Sequence, residues 1–112
     1  MNCCNQIIAT NAGGIPYIVS NNTTIGTENI NIALGQRRIQ PVGYITVVIS
    51  TVIPADATTT LPVNLTLNDV TKPLTLPNGT PVTAAELLNV GNILIFNDRT
   101  RDSLTLISRT TV

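Results

Sequence analysis

The sequence predicts an all-β protein with one short helix, folded as a small antiparallel β-sandwich or barrel-like domain of six to seven strands. Apolar and polar residues alternate with a period of two in several segments. Thr, Val and Ile, which fit a pleated sheet, are abundant, and turn-forming residues separate the segments. No segment alternates as β-α-β, and 112 residues suffice for one domain with one core.

The first 24 residues are rich in Asn and are predicted to form an N-terminal arm over 1–24, which could be exchanged with a neighbouring subunit. The β-domain then covers 25–112. Within the arm, residues 7–19 resemble two short strands around Gly13-Gly14. Pro16 indicates the edge of a sheet, because proline lacks a backbone donor.

Three segments show the clearest strand patterns, each with one apolar face. The inward positions are Ile30, Ile32 and Leu34 in "NINIAL", Ile45, Val47, Ile49 and Ile53 in residues 44–53, and Leu61, Val63, Leu65 and Leu67 in "LPVNLTL". The second face of residues 44–53 also carries apolar side chains, which predicts a central strand covered on both sides. Tyr44, Val48 and Val52 on that face are candidate intersubunit contacts.

Turn and cap signals follow in "LTLPNGTPVTAAEL". Asn78-Gly79 tolerates positive φ and predicts a turn. Thr83 and Glu86 have capping-box spacing, which predicts a helix of about two turns over 84–89, ended by Gly91. Residues 54–62, bounded by two prolines, are predicted to form a long loop.

Near the C-terminus "NILIF" and "SLTLIS" predict two strands joined as a hairpin by "NDRTRD". The tip carries Asp98, Arg99, Arg101 and Asp102, which we interpret as a contact loop whose arginines neutralise its aspartates. An alternative is a paired-carboxylate hydrolase site formed by Asp98 and Asp102, since hairpin residues can converge.

The charge content excludes several function classes. Six basic residues balance six acidic ones, and charged residues make up 11% of the chain. This balance predicts neither a nucleic-acid nor a membrane partner. Histidine is absent, which removes the commonest general base and metal ligand, and no Gly-rich phosphate loop is present. We therefore expect no catalytic residue, no cofactor and no metal. No signal peptide or apolar run of membrane-spanning length is visible.

The two cysteines, Cys3 and Cys4, are adjacent and lie in the predicted arm. A disulfide between neighbours would close a strained ring, and two thiols cannot complete a four-ligand zinc site. Three alternatives stay open: disulfides to the same residues of a neighbouring subunit, S-acylation, or two idle thiols. The first alternative makes Cys3 and Cys4 candidate intersubunit contacts, because unpaired cysteines of symmetric subunits can meet near an axis.

Four segments, "NAGGIPYI", "PVGYITVVIS", "LPVNLTLNDVTKPLTLPNGTPVTAAEL" and "ILIFNDRTRDSLTLIS", resemble short virion proteins of crAss-like tailed bacteriophages that infect gut Bacteroidales. The resemblance covers roughly residues 11–108. It implies a structural protein on the outside of the phage head, either a head fibre or an auxiliary (decoration) capsid protein. It carries over no catalytic residues. Such a protein would be made in the host cytoplasm and reside in the virion.

Two function classes follow. The first is a non-enzymatic β-domain that self-associates as a homo-oligomer, a dimer or trimer, and docks on capsid or other virion proteins. Low charge with abundant Thr and Asn favours it, because such a surface repels copies of itself weakly. The second is a carbohydrate- or receptor-binding β module. Sugar sites usually offer aromatic faces, and this chain has no Trp, two tyrosines and one Phe96, which its two-sided apolar strand is expected to bury.

Overall fold

The computed structural model describes residues 15–39, 41–57, 59–98 and 100–111. Its elements are β1 (Tyr17–Val19), β2 (Asn22–Ile25), β3 (Ile30–Gly35), β4 (Val42–Val48), β5 (Val63–Leu67), β6 (Val70–Thr75), α1 (Ala84–Leu87), β7 (Val90–Asp98) and β8 (Leu104–Thr111). The prediction of a mostly β protein with one short helix is confirmed.

The eight strands form one sheet in the order β1-β4-β7-β8-β6-β5-β3-β2, curled into a half-barrel. The predicted antiparallel sandwich of six to seven strands is therefore wrong, although its barrel-like alternative is nearer the observed shape. The sheet is also mixed, because the pairs β1–β4, β3–β5 and β6–β8 are parallel. The sequence of a short strand does not show which distant strand will pair with it.

The curl follows from how the chain connects the two edges of the sheet. The edge strands β1 and β2 are separated by Ser20 and Asn21 alone. Across a flat eight-stranded sheet the edges would lie roughly 34 Å apart, whereas three residues of chain reach about 10 Å at most. The sheet must therefore bend until its edges nearly meet. We call residues 17–25 the crossing strand.

Residues 17–19 and 22–24 of the predicted arm are strand residues of this sheet. Ile18 of β1 is buried in the core, and β2 pairs with β3 along its whole length. The predicted boundary between residues 24 and 25 thus falls inside β2. Exchange of an N-terminal segment with a neighbouring subunit stays a prediction.

The core fills the concave side of the sheet. Its fully buried side chains come from Ile, Val, Leu and Ala. The predicted alternation is confirmed within β3, β4 and β5, where the buried positions include Ile30, Ile32, Leu34, Ile45, Val47, Val63 and Leu65. The strand predicted over residues 44–53 ends at Val48, although Ile49 and Ile53 are buried as expected. The hairpin of β7 and β8 is also as predicted.

Two strands were not predicted from the sequence. In β2, the residues "NTTI" are polar or exposed, because this edge strand lacks a buried face. In β6, Pro73 argues against a strand. The structure tolerates Pro73 because pairing with β8 begins only at Leu74, so the missing N–H interrupts no bond on that side.

The turns and the helix agree with the sequence in part. Gly79 has φ 89° in the predicted turn. Glu86 accepts a hydrogen bond from the backbone N of Thr83 at 3.0 Å, as expected in a capping box, and a further one from Oγ1 of Thr83 at 2.8 Å. However, α1 covers Ala84–Leu87 and is shorter than the predicted 84–89, because Leu88 is already extended, with φ −61° and ψ 125°, and Asn89 follows with φ 57°. Gly91 is a buried residue of β7 rather than the helix terminator.

Candidate interaction surfaces

The convex side of strands β1, β4 and β7 forms a continuous exposed surface, which we call the outer face. The strand registers place Tyr17 beside Thr46, Val19 beside Val48, and Tyr44 beside Phe96. Residues on one face of adjacent strands contact each other across the ladder. The outer face consists of Tyr17, Val19, Tyr44, Thr46, Val48, Leu94 and Phe96. None of these side chains carries a charge. Beyond Tyr44 and Phe96, the same side of the sheet ends in the pair Val42 and Asp98.

All three aromatic residues of the chain lie on the outer face. The rings of Tyr44 and Phe96 meet edge to face, with centroids 5.1 Å apart and planes at 68°. Tyr17 is 37% exposed and Tyr44 is 49% exposed. Folded proteins ordinarily bury aromatic rings because each removes much apolar area from water. This molecule instead builds its core from aliphatic residues and keeps its rings outside.

The predicted intersubunit contacts do not all lie on one surface of the molecule. Tyr44 and Val48 lie on the outer face, and Tyr44 is open to solvent rather than covered by a second layer. Val52 is half-buried in the irregular segment after β4, next to the core residue Ile53. Cys3 and Cys4 fall outside the described residues.

The hairpin tip is held by Asp98. Its Oδ1 accepts hydrogen bonds from the N (3.0 Å) and Oγ1 (2.6 Å) of Thr100, and its Oδ2 lies 3.6 Å from Nε of Arg101. The expected neutralisation of an aspartate by an arginine is thus present for this pair. Arg99 falls outside the described residues. Asp102 is exposed and lines a neighbouring pocket.

The hydrogen bonds from Thr100, with a smaller effect of Arg101, lower the pKa of Asp98. A carboxyl with a lowered pKa stays ionised at neutral pH and is a poor proton donor. The lowered pKa gives no support to Asp98 as the general acid of the paired-carboxylate alternative. Asp98 acts in the hairpin as the acceptor that orders the tip.

A pocket of about 610 Å³ opens where the C-terminal ends of β3 and β5 meet the β7–β8 hairpin. Four basic residues line it: Arg37, Arg38, Lys72 and Arg101. Its apolar lining includes Ile39, Leu65, Leu67 and Leu104. One carboxylate, that of Asp102, is among the lining residues. This pocket was not predicted, because its basic residues come from three separate parts of the sequence.

Two further observations concern site types. Among the described residues, no group of three or more His, Cys, Asp or Glu side chains is arranged to hold a metal ion. None of the described helices is long and apolar enough to cross a membrane.

No protein-family model matches the chain, and neither a curated protein nor a solved structure matches it.

Proposed function

We propose that the protein is a non-enzymatic structural module that assembles with copies of itself through the outer face. The observation that carries this proposal is the placement of every aromatic side chain on that uncharged surface. Interface centres are enriched in Tyr and Phe and depleted of charge. Two copies packed about a two-fold axis would cover Tyr17, Tyr44 and Val48 against the same patch on the partner.

The proposed setting is the outside of a tailed-phage head, as a head-fibre or auxiliary capsid protein. This part rests on the resemblance to virion proteins of crAss-like phages and on the low charge of the chain. It is tested by mass spectrometry of purified virions from an infected culture that carries the gene. A signal at the level of a structural protein supports the proposal, and absence from virions of infected cells that contain the protein contradicts it.

Self-association is tested first by the molar mass in solution, measured by light scattering with and without reductant. A stable dimer or trimer in both conditions is expected if the outer face holds the copies together. An assembly that dissociates to monomers of 11.9 kDa on reduction would show that disulfides of Cys3 and Cys4, and not the outer face, hold the copies together. A monomer in both conditions would contradict assembly through the outer face.

The surface itself is tested by charge substitution. Val48→Asp and Tyr44→Asp each place a carboxylate in the proposed contact, where a buried, unpaired charge is strongly unfavourable. Either variant should shift the dimerisation constant by at least about tenfold. The matched control is Val70→Asp, which changes an exposed strand valine away from the outer face.

Tyr44→Asp separates assembly from folding, since Tyr44 is half exposed in the single chain. We expect its unfolding midpoint, measured below the dissociation constant, to stay close to that of the parent protein. If both variants unfold early yet associate normally, the outer face belongs to the folded core of the subunit and the proposal fails.

A further inference from the structure

The basic residues of the pocket stand out against the charge of the whole molecule. The chain has no net charge at neutral pH, yet the pocket lining contains four of its six basic residues and one of its six acidic residues. Like charges that converge on one cavity repel each other. An anion in the cavity would relieve this repulsion.

The fold holds two of the pocket's basic residues by contacts on either side of the cavity. The backbone N and O of Arg37 both bond to the side-chain amide of Asn68, at 2.7 Å each, and its Nη2 donates to the carbonyl of Val19 at 3.3 Å. Across the cavity, Nζ of Lys72 donates to the carbonyl of Arg101 at 3.0 Å. These bonds position the backbone of Arg37 and the side chain of Lys72 at the cavity.

Donor capacity remains on these side chains. A guanidinium carries five N–H donors and an ammonium carries three. Each of the side-chain bonds above uses one donor of Arg37 or Lys72. The cationic rim can thus contact the oxygens of a carboxylate or phosphate, which are the preferred acceptors of such donors.

The floor of the pocket has the opposite character. Leu65 and Leu104 are core residues that also line the cavity, and Leu67 and Ile39 are half-buried beside them. Asn97, at 5% exposure, adds a buried amide that donates to the carbonyl of Pro41 at 3.3 Å. A mostly apolar cavity of this size with polar groups at its rim is the usual form of a small-ligand site.

We propose that this pocket binds a small anionic amphiphile, a molecule with an apolar body and one carboxylate or phosphate head. The body lies on the leucine floor, and the head lies among Arg37, Arg38 and Lys72. This site is distinct from the outer face, so the proposal does not depend on self-association.

The test is titration calorimetry of the full chain with decanoate, a soluble carboxylate with an apolar tail. Octyl glucoside supplies an apolar tail with a neutral head, and inorganic phosphate supplies an anion with no tail. We expect one decanoate per chain, bound at least about tenfold more tightly than either comparison ligand, because both halves of the pocket contribute.

Two variants assign the site. Arg38→Gln and Lys72→Gln should each weaken decanoate about tenfold, the loss expected for one charge-assisted hydrogen bond. Arg109→Gln, which removes a positive charge outside the pocket, is the matched control and should bind as the parent protein does. Val70→Asp adds a carboxylate to the rim and should also weaken binding.

Several results would overturn the proposal. They are no binding of decanoate, equal affinity for octyl glucoside, phosphate binding as tight as decanoate, or equal losses in Arg38→Gln and Arg109→Gln. Far-ultraviolet circular dichroism of each variant checks that it is folded. Light scattering of the same samples reports self-association separately, so failure of one proposal is distinguishable from failure of the other.

Discussion

At the scale of single residues, polar side chains in this molecule fix the backbone at the ends of elements. Glu86 is the clearest case. Burial alone would raise its pKa, but the hydrogen bonds from the side chain and backbone of Thr83, with a further contribution from Arg109, lower it overall. The folded state therefore favours the ionised carboxylate, and Glu86 links the stability of the protein to pH.

The sign of this linkage gives a prediction. A lowered pKa stabilises the fold above the ordinary value of 4.5, and the contribution is lost as the pH falls through the folded-state pKa. Glu86→Gln should therefore be less stable than the parent protein near neutral pH. The difference should shrink toward zero as the pH falls below 4.5 and through the lowered folded-state pKa.

Urea unfolding of both proteins at several pH values measures this difference. Glu28→Gln, a change in the exposed turn before β3, serves as the control. A stability gap between Glu86→Gln and the parent protein that stays constant down to the lowest pH would show that the carboxylate charge is not the cause.

At the scale of elements, the β5–β6 hairpin connects the fold to the proposed pocket. Its two turn residues, Asn68 and Asp69, have φ values of 52° and 66°. Such consecutive left-handed residues are typical of a two-residue type I′ turn. Asn68 has a second role, because its side chain bonds to both backbone groups of Arg37.

The two turn residues should respond oppositely to glycine. Asp69→Gly relieves the cost of a left-handed residue and should leave the free energy of unfolding unchanged or raise it by up to about 1 kcal/mol. Asn68→Gly gives the same relief but removes two hydrogen bonds of about 1 kcal/mol each, so it should be the less stable variant by about 1–2 kcal/mol.

Denaturant unfolding of the pair, with amide exchange at Arg37, checks this prediction. Faster exchange at Arg37 in Asn68→Gly alone is expected. If the two variants are equally stable, the Asn68 side chain does not hold the segment after β3.

Alternation of apolar residues was enough to predict the inward faces of β3, β4 and β5, because that pattern is local. It could not predict β2, which has no buried face, or β6, whose Pro73 is tolerated by its pairing. The Asn68-Asp69 pair is a sequence signal for the β5–β6 turn, because both residue types tolerate positive φ. The pocket could not be predicted, because Arg37 and Lys72 line one cavity only through the parallel pairing of β3 with β5 and the pairing of β5 with β6.

At the scale of the whole molecule, the crossing strand determines the shape. Ser20 lies at its bend, 4% exposed, where its Oγ accepts from the N of Ser50 at 2.9 Å and its carbonyl accepts from Oγ of Ser50 at 2.7 Å. These bonds tie the bend to the segment after β4. Beyond the bend, Oγ1 of Thr23 donates to the carbonyl of Thr51 at 2.6 Å. Hydrogen bonds from residues 20–23 thus connect both edge strands, β1 and β2, to the segment after β4.

Loss of the Ser20 hydroxyl should therefore loosen both edges together. Ser20→Ala leaves the Ser50 N–H without its part-buried acceptor, which costs about 1 kcal/mol. Ser108→Ala, at an exposed position of β8, is the control and should be nearly neutral.

Hydrogen exchange distinguishes coupled from independent edges. In Ser20→Ala we expect amides of β1 and β2 to lose protection in parallel, while β5 and β6 keep theirs. Loss confined to β1 would mean that the two edges open separately and that the bend does not link them.

The position of the aromatic rings also determines which spectroscopic signals respond to assembly of this protein. The chain has no Trp, and its two tyrosines sit on the outer face beside solvent. Covering Tyr17 and Tyr44 with a second surface should therefore change the intrinsic tyrosine emission, while the far-ultraviolet dichroism of the folded sheet stays the same. The molecule carries a built-in optical signal for contact with a partner, separate from the signal for its folding.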